Sequence, residues 1–227
     1  MNDIVIDLRE KLIAFANPEK AIAMKRYMKN NVDFLGIYSP DRKFQTKSFI
    51  ENIAKKDNAF IEEIVADLWE LPEREFQYIA IDLLVKTKKK RTEDSLQLID
   101  FLLENKSWWD TVDALSVNVA GDFLLRFPHL KSKATERWRN SNFLWKERCA
   151  IIFQLKYKLN IDHQLLEELI AQFATSKEFF RQKAIGWILR EISKTKPELT
   201  HHFLIKYPQL SNLAKREASK YLQIEFK

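Results

Sequence analysis

Ser141-Asn142-Phe143-Leu144-Trp145-Lys146-Glu147-Arg148-Cys149 recurs, 35 residues later, as Ser176-Lys177-Glu178-Phe179-Phe180-Arg181-Gln182-Lys183-Ala184. The aromatic-basic step Trp145-Lys146 falls on Phe180-Arg181, and the small Cys149 falls on Ala184. Extending the same step in both directions aligns Lys43, Tyr78, Asp113, Arg148 and Lys183, mostly polar groups, each near the start of one helix of a pair. A single helix pair cannot bury its apolar face alone, so such repeats stack, and equivalent positions form a stripe along one surface. The period is slightly below the usual HEAT range. It predicts an all-α fold: a superhelical solenoid of HEAT-like antiparallel helix pairs with a concave basic groove.

The rest of the 227-residue chain agrees with that reading. Apolar residues recur at three- and four-residue steps and nowhere alternate for long, which predicts about thirteen helices, among them 108–126, 143–158, 177–194 and 212–224. Asn17-Pro18-Glu19 and Ser39-Pro40-Asp41 each offer a capping side chain, a proline and a first-turn acid, as a helix start requires. Asn30-Asn31, Leu71-Pro72, Phe127-Pro128 and Tyr207-Pro208 mark stops. Three glycines and six prolines supply too few turns for a sandwich or barrel and no phosphate-cradling loop, so Walker and Rossmann nucleotide sites are not expected. With no Gly/Ser-rich linker, residues 1–227 are expected to form a single domain. The one cysteine, Cys149, precludes a disulfide framework within the chain and fits a reducing cytosol. Acids near the N-terminus and the lack of any apolar run near ~20 residues point to a soluble cytoplasmic protein with no membrane contact.

The formal charge of +6 is unevenly spread. Residues 1–139 carry 23 Lys+Arg against 23 Asp+Glu, and residues 140–227 carry 15 against 9. A localised basic surface suits a polyanion, since neutralised phosphates release condensed counterions, although ordinary proteins carry such surfaces too. Within Lys106-Ser107-Trp108-Trp109-Asp110-Thr111-Val112-Asp113, Trp109 and Asp113 stand four apart and share a helix face. Taken alone they fit a core indole and a capping acid better than a site. Lys183, Trp187 and Arg190 then place an indole between two cations on one face, and the 35-residue ladder adds Arg148. A carboxylate among bases repels a polyanion, so Asp113 makes sense where positive charge develops during a reaction. Tyr27 could donate to phosphate. The four histidines lack ligand spacing, so neither a metal nor any other cofactor is expected.

These segments resemble the AlkD family of bacterial DNA alkylation-repair glycosylases over almost the full length. The resemblance is carried by Asn17–Lys20, Arg26–Asn30, Phe34–Ile37, Leu71–Gln77, Lys106–Asp113, Phe153–Lys158, Ser176–Phe180 and Gln182–Trp187, followed by Leu189–Glu191. It implies a monofunctional DNA glycosylase: a monomer that hydrolyses the N-glycosidic bond of cationic N3- or N7-alkylated purines in double-stranded DNA, the first step of base excision repair, without a base-binding pocket. It further implies catalytic roles for Asp113, Trp109 and Trp187, and DNA-backbone contacts from Arg148, with Lys183, Arg190 and Tyr27 as further candidates. The competing expectations are a catalytically inactive HEAT-repeat protein that binds damaged or bent DNA, and a protein-interaction solenoid.

Overall fold

The computed structural model describes residues 1–222. Among them the secondary structure is helical throughout, relieved only by one isolated bridge between Asp33 and Glu73. The chain divides into two compact units, Met1–Thr111 and Val112–Lys227, although composition marks no linker between them. Both are all-α and solenoid-like, built from consecutive helices that pack on their neighbours and on the next helix but one.

The first unit is organised by α4 (Asn58–Glu70) and α5 (Arg74–Lys86), with α3 (Ser39–Ile53) against α5 and α6 (Ser95–Glu104) against α4. Asp57 starts α4 by accepting the Phe60 N–H at 2.8 Å, satisfying one of the unpaired first-turn donors. Ile61, Ile64, Val65, Leu68 and Trp69 then form one buried stripe, each side chain contributing roughly 1.5–3 kcal/mol by leaving water. Ahead of these lie α1 (Asp3–Ile13) and α2 (Pro18–Tyr27). Asn17 caps α2 as expected, accepting from Lys20 N at 3.0 Å. Ser39 does not cap α3: Tyr38 takes the cap position without a side-chain bond and Ser39 is already the first helical residue. Between α2 and α3, Gly36 has φ +87°, and a Cβ there would fall 2.1 Å from the Asn17 carbonyl oxygen. Only glycine fits. The buried Glu75 carboxylate accepts the N–H groups of Leu35, Gly36 and Ile37 at 2.9–3.0 Å, tying that turn to α5.

The second unit contains α8 (Gly121–Arg126), α9 (Lys131–Arg139), α10 (Leu144–Ile152), α11 (His163–Phe173), α12 (Phe179–Ser193), α13 (Pro197–Lys206) and α14 (Asn212–Ala218). Its interior holds Phe123, Trp138, Phe153, Leu166, Ile188 and Phe203. The helix expected over 143–158 ends early, at Ile152. Gln154 turns from the helix to bond the Asp162 backbone, its Oε1 accepting that N–H at 2.7 Å, and Lys158 takes a positive φ. The helix expected over 212–224 is α14 plus one 3-10 turn at Ser219–Tyr221; residues 223 and 224 lie outside the described residues.

The sequence period reappears as polar bonds between stacked repeats. In the first unit Trp69 Nε1 donates to the Asn105 carbonyl and Arg42 to Asp82. In the second, Arg181 pairs with Glu147 and Tyr157 Oη donates to the Gly121 carbonyl, each across 34–40 residues of sequence. No helix among the described residues is long and apolar enough to cross a membrane.

Candidate functional site

The helix that opens on the second of the paired tryptophans, α7 (Trp109–Leu115), is fixed at its start by a buried charge cluster in the first unit. Arg74, with no exposed side-chain surface, donates from Nε and Nη2 to the two oxygens of Asp110 at 2.8 and 2.7 Å. Its remaining donors reach the Lys106 carbonyl at 2.7 Å and Thr111 Oγ1 at 2.9 Å. Tyr78 Oη donates to Asp110 at 2.7 Å, and burial, reinforced by the Asp110 charge, pushes its phenol well above the usual tyrosine range. A bidentate Arg–carboxylate pair with all three guanidinium nitrogens bonded fixes both position and rotation of the first turn. Trp109 follows from that anchor, and the edge of its indole meets the Tyr27 ring at 5.8 Å between centroids.

In the second unit Asp113 is held by Arg148 of α10. Arg148 Nε and Nη2 donate to the two Asp113 oxygens at 2.7 and 2.8 Å, and Nη1 donates to the Phe180 carbonyl at 2.7 Å. The Arg148 side chain is 4% exposed, whereas the Asp113 side chain keeps 18% of its surface. Asp113 also lines a cavity of about 380 Å³ together with Asn118, Lys156, Trp187 and Glu191. Acid and indole, far apart in sequence, thus border one space.

The segment after Asp113 is shaped by a π turn, Ser116–Ala120, that joins α7 to α8 without a break, as the expectation of one helix over 108–126 requires. Ser116 Oγ donates to Val112 O at 2.6 Å and Asn118 Nδ2 to Ala114 O at 3.0 Å, both competing for helix carbonyls. Widening the helix there turns Asn118 toward Lys156, whose Nζ donates to Asn118 Oδ1 at 2.6 Å.

The sequence-derived residues are therefore distributed as follows. Asp113, Arg148 and Trp187 come together in the second unit, and Trp109 and Tyr27 meet in the first. Arg148, expected to reach out to phosphates, is instead turned inward onto Asp113. A fork of donors matches a carboxylate's two oxygens better than it tolerates burial without a partner. Lys183 and Arg190 flank Trp187 as expected but both end on Glu217, at 2.6 and 2.5 Å. Asn118, Lys156 and Glu191 escaped the sequence reading. Lys156 and Glu191 lie in the Phe153–Lys158 and Leu189–Glu191 segments that carry the resemblance, and Glu191 also stands one turn beyond Trp187; Asn118 had no such signal. Among the described residues no group of three or more His, Cys, Asp or Glu side chains is placed to hold a metal ion.

A family model for DNA alkylation repair enzymes matches residues 8–222. The chain belongs to the DNA alkylation repair enzyme family. A solved structure similar to it is that of a predicted DNA alkylation repair enzyme from Enterococcus faecalis, 31% identical, with a TM-score of 0.87 over 92% of this chain and 98% of the other. No curated protein matches. Membership of the DNA alkylation repair enzyme family makes this an enzyme of DNA repair with DNA as its substrate. The AlkD-like resemblance drawn from the paired tryptophans holds at this level.

Proposed function

We propose that the protein is a monofunctional DNA glycosylase that hydrolyses the N-glycosidic bond of N3- and N7-alkylated purines in duplex DNA, opening base excision repair. The observation that carries this reading is the Asp113 carboxylate, clamped through both oxygens by Arg148 and bordering the same cavity as the Trp187 indole. An alkylated purine with a formal positive charge is already a good leaving group, so no acid is needed to protonate it. The barrier lies at the sugar. As the bond breaks, its electron pair leaves with the purine, which departs neutral, and positive charge develops around C1′. A carboxylate that needs no reorganisation stabilises that charge and orients the attacking water, whose oxygen bonds to C1′ and whose proton is lost to solvent. The indole face of Trp187 adds cation–π attraction. The lysine on the cavity wall, Lys156, is tied through Nζ to Asn118 Oδ1 at 2.6 Å, which supports hydrolysis to an abasic site rather than attack by its amine.

The test is incubation with methylated duplex DNA and chromatography of the released bases. Wild type is expected to release 7-methylguanine. Asp113→Asn is expected to lose nearly all release, on the order of 10²-fold or more, while keeping its affinity for duplex DNA. Wild-type binding without release would instead make the protein a non-enzymatic reader of damaged DNA.

A further inference from the structure

The face of α12 next to the candidate site carries two of the cations that the resemblance offers as backbone contacts, both tied to an acid to which the glycosylase reading gives no role. Lys183, Trp187 and Arg190 follow at i, i+4 and i+7, and both cations converge on one carboxylate of α14. Lys183 Nζ bonds Glu217 Oε1 at 2.6 Å and Arg190 Nη1 bonds Glu217 Oε2 at 2.5 Å. One oxygen serves each cation. The three side chains stay partly open, at 38%, 24% and 16% exposure respectively. The Lys183 hydrogen bond, opposed by burial and aided by the charges of Lys183, Arg190 and Lys220, holds the Glu217 carboxyl below its usual range.

We propose that Lys183 and Arg190 form a seat for one DNA backbone phosphate beside Trp187, that Glu217 fills this seat in the free protein, and that the phosphate displaces it on binding. This rests on the reading of the protein as one that grips duplex DNA. A phosphodiester and a carboxylate each present one negative charge over two oxygens on a single centre, so the exchange replaces two charge-assisted hydrogen bonds by two of the same kind. Counterion release from the DNA then tips the balance. Glu217 can leave without unseating its helix. The attachment of α14 rests on buried Ala214 and Ala218 and on its close approach to Gly186, where a Cβ would lie 2.7 Å from Glu217 Cβ and 2.9 Å from the Ala214 carbonyl oxygen, so the Glu217 Cβ stays seated while its carboxylate swings away. Two cations against one acid leave a net positive seat, which favours an anion. The resident acid repels a phosphate that approaches out of register, so Glu217 sets specificity as well as occupancy.

The experiment measures binding of an unmodified 20-base-pair duplex across a salt series. Glu217→Gln is expected to bind about fivefold more tightly at low salt. Its plot of log affinity against log salt should keep the wild-type slope, since the same phosphate is neutralised in both complexes. Adding Lys183→Gln to that variant should abolish the gain in affinity. A Glu217→Gln variant that binds no tighter than wild type, a slope that steepens by about 0.9, or a gain that survives loss of Lys183 overturns the proposal. Wild type carrying ¹³C-labelled glutamate supplies a readout that does not depend on any variant folding. The Glu217 carboxyl resonance should move to that of a solvated glutamate as duplex is added, and a resonance that stays in place while DNA binds overturns the displacement. Base release is scored separately. Release with an unresponsive Glu217 sinks this inference alone, DNA-dependent release of Glu217 without base release sinks the glycosylase reading alone, and no duplex binding sinks both.

Discussion

Asp113 and Arg148 stand 35 residues apart in sequence and share two hydrogen bonds of 2.7 and 2.8 Å. Removing the cation takes two hydrogen bonds from a largely buried carboxylate and one from the Phe180 carbonyl, and breaking a buried pair generally costs about 3–5 kcal/mol. Because Asp113 keeps some contact with water, Arg148→Met should fall near the lower end, about 3 kcal/mol, measured by urea denaturation. In a double-mutant cycle Arg148→Met and Asp113→Asn should be strongly non-additive. Additivity within about 0.5 kcal/mol means that the two groups are not coupled. The pair also bears on chemistry. A carboxylate gripped at both oxygens cannot rotate away from developing charge, and on the glycosylase reading this makes Arg148 a positioning residue for Asp113.

At the scale of the element, the π turn at Ser116–Ala120 is where local geometry and packing meet. Gly121 follows it, and a Cβ there would sit 2.4 Å from the Phe153 carbonyl oxygen, so the two backbones touch with nothing between them. Tyr157 seals the contact, its Oη donating to Gly121 O at 2.8 Å, and burial, with the nearby charge of Asp122, pushes its phenol well above the usual range. Gly121→Ala must drive the π turn away from the chain leaving α10. Its cost should be at least the roughly 1–3 kcal/mol typical of overpacking, read as a fall in Tm. Tyr157→Phe removes only the hydrogen bond and should cost about 1 kcal/mol. Equal effects would mean that the hydroxyl rather than the close backbone approach holds the turn.

Over the whole molecule, the basic excess of residues 140–227 is less free than composition suggests. Arg148, Lys183 and Arg190 all end on carboxylates, as does Arg181 on Glu147, while Asp162 of this segment is taken by Lys131 from before it. These pairs make stability depend on acid. Glu217 is held low chiefly by Lys183. Asp162 is raised by burial, but Lys131, the Leu165 N–H and His163 together leave it below its usual range. A depressed carboxyl contributes stability that is present above its unfolded value, near ~4, and lost as pH falls through its folded value. Unfolding free energy should therefore hold from pH 7 to about 5 and decline between about pH 4 and 2. The decline should be shallower in Glu217→Gln. Denaturation midpoints across that range check it, and a stability that rises on acidification contradicts it.

The 35-residue ladder, the caps around Asn17 and the apolar steps settled the helical class, because helix periodicity and repeat stacking are written in which residues recur, not in where they end up. Trp109, Asp113, Arg148 and Trp187 were legible as candidates for the same reason: they stand at fixed offsets within helices. Partnership was not. Whether Arg148 faces phosphate or Asp113, whether Lys183 and Arg190 stand open or share Glu217, and that Asn118 and Lys156 join the cavity wall depend on side chains from separate repeats meeting in space. Pairing energy between charges is decided by distance and burial, which no linear spacing contains.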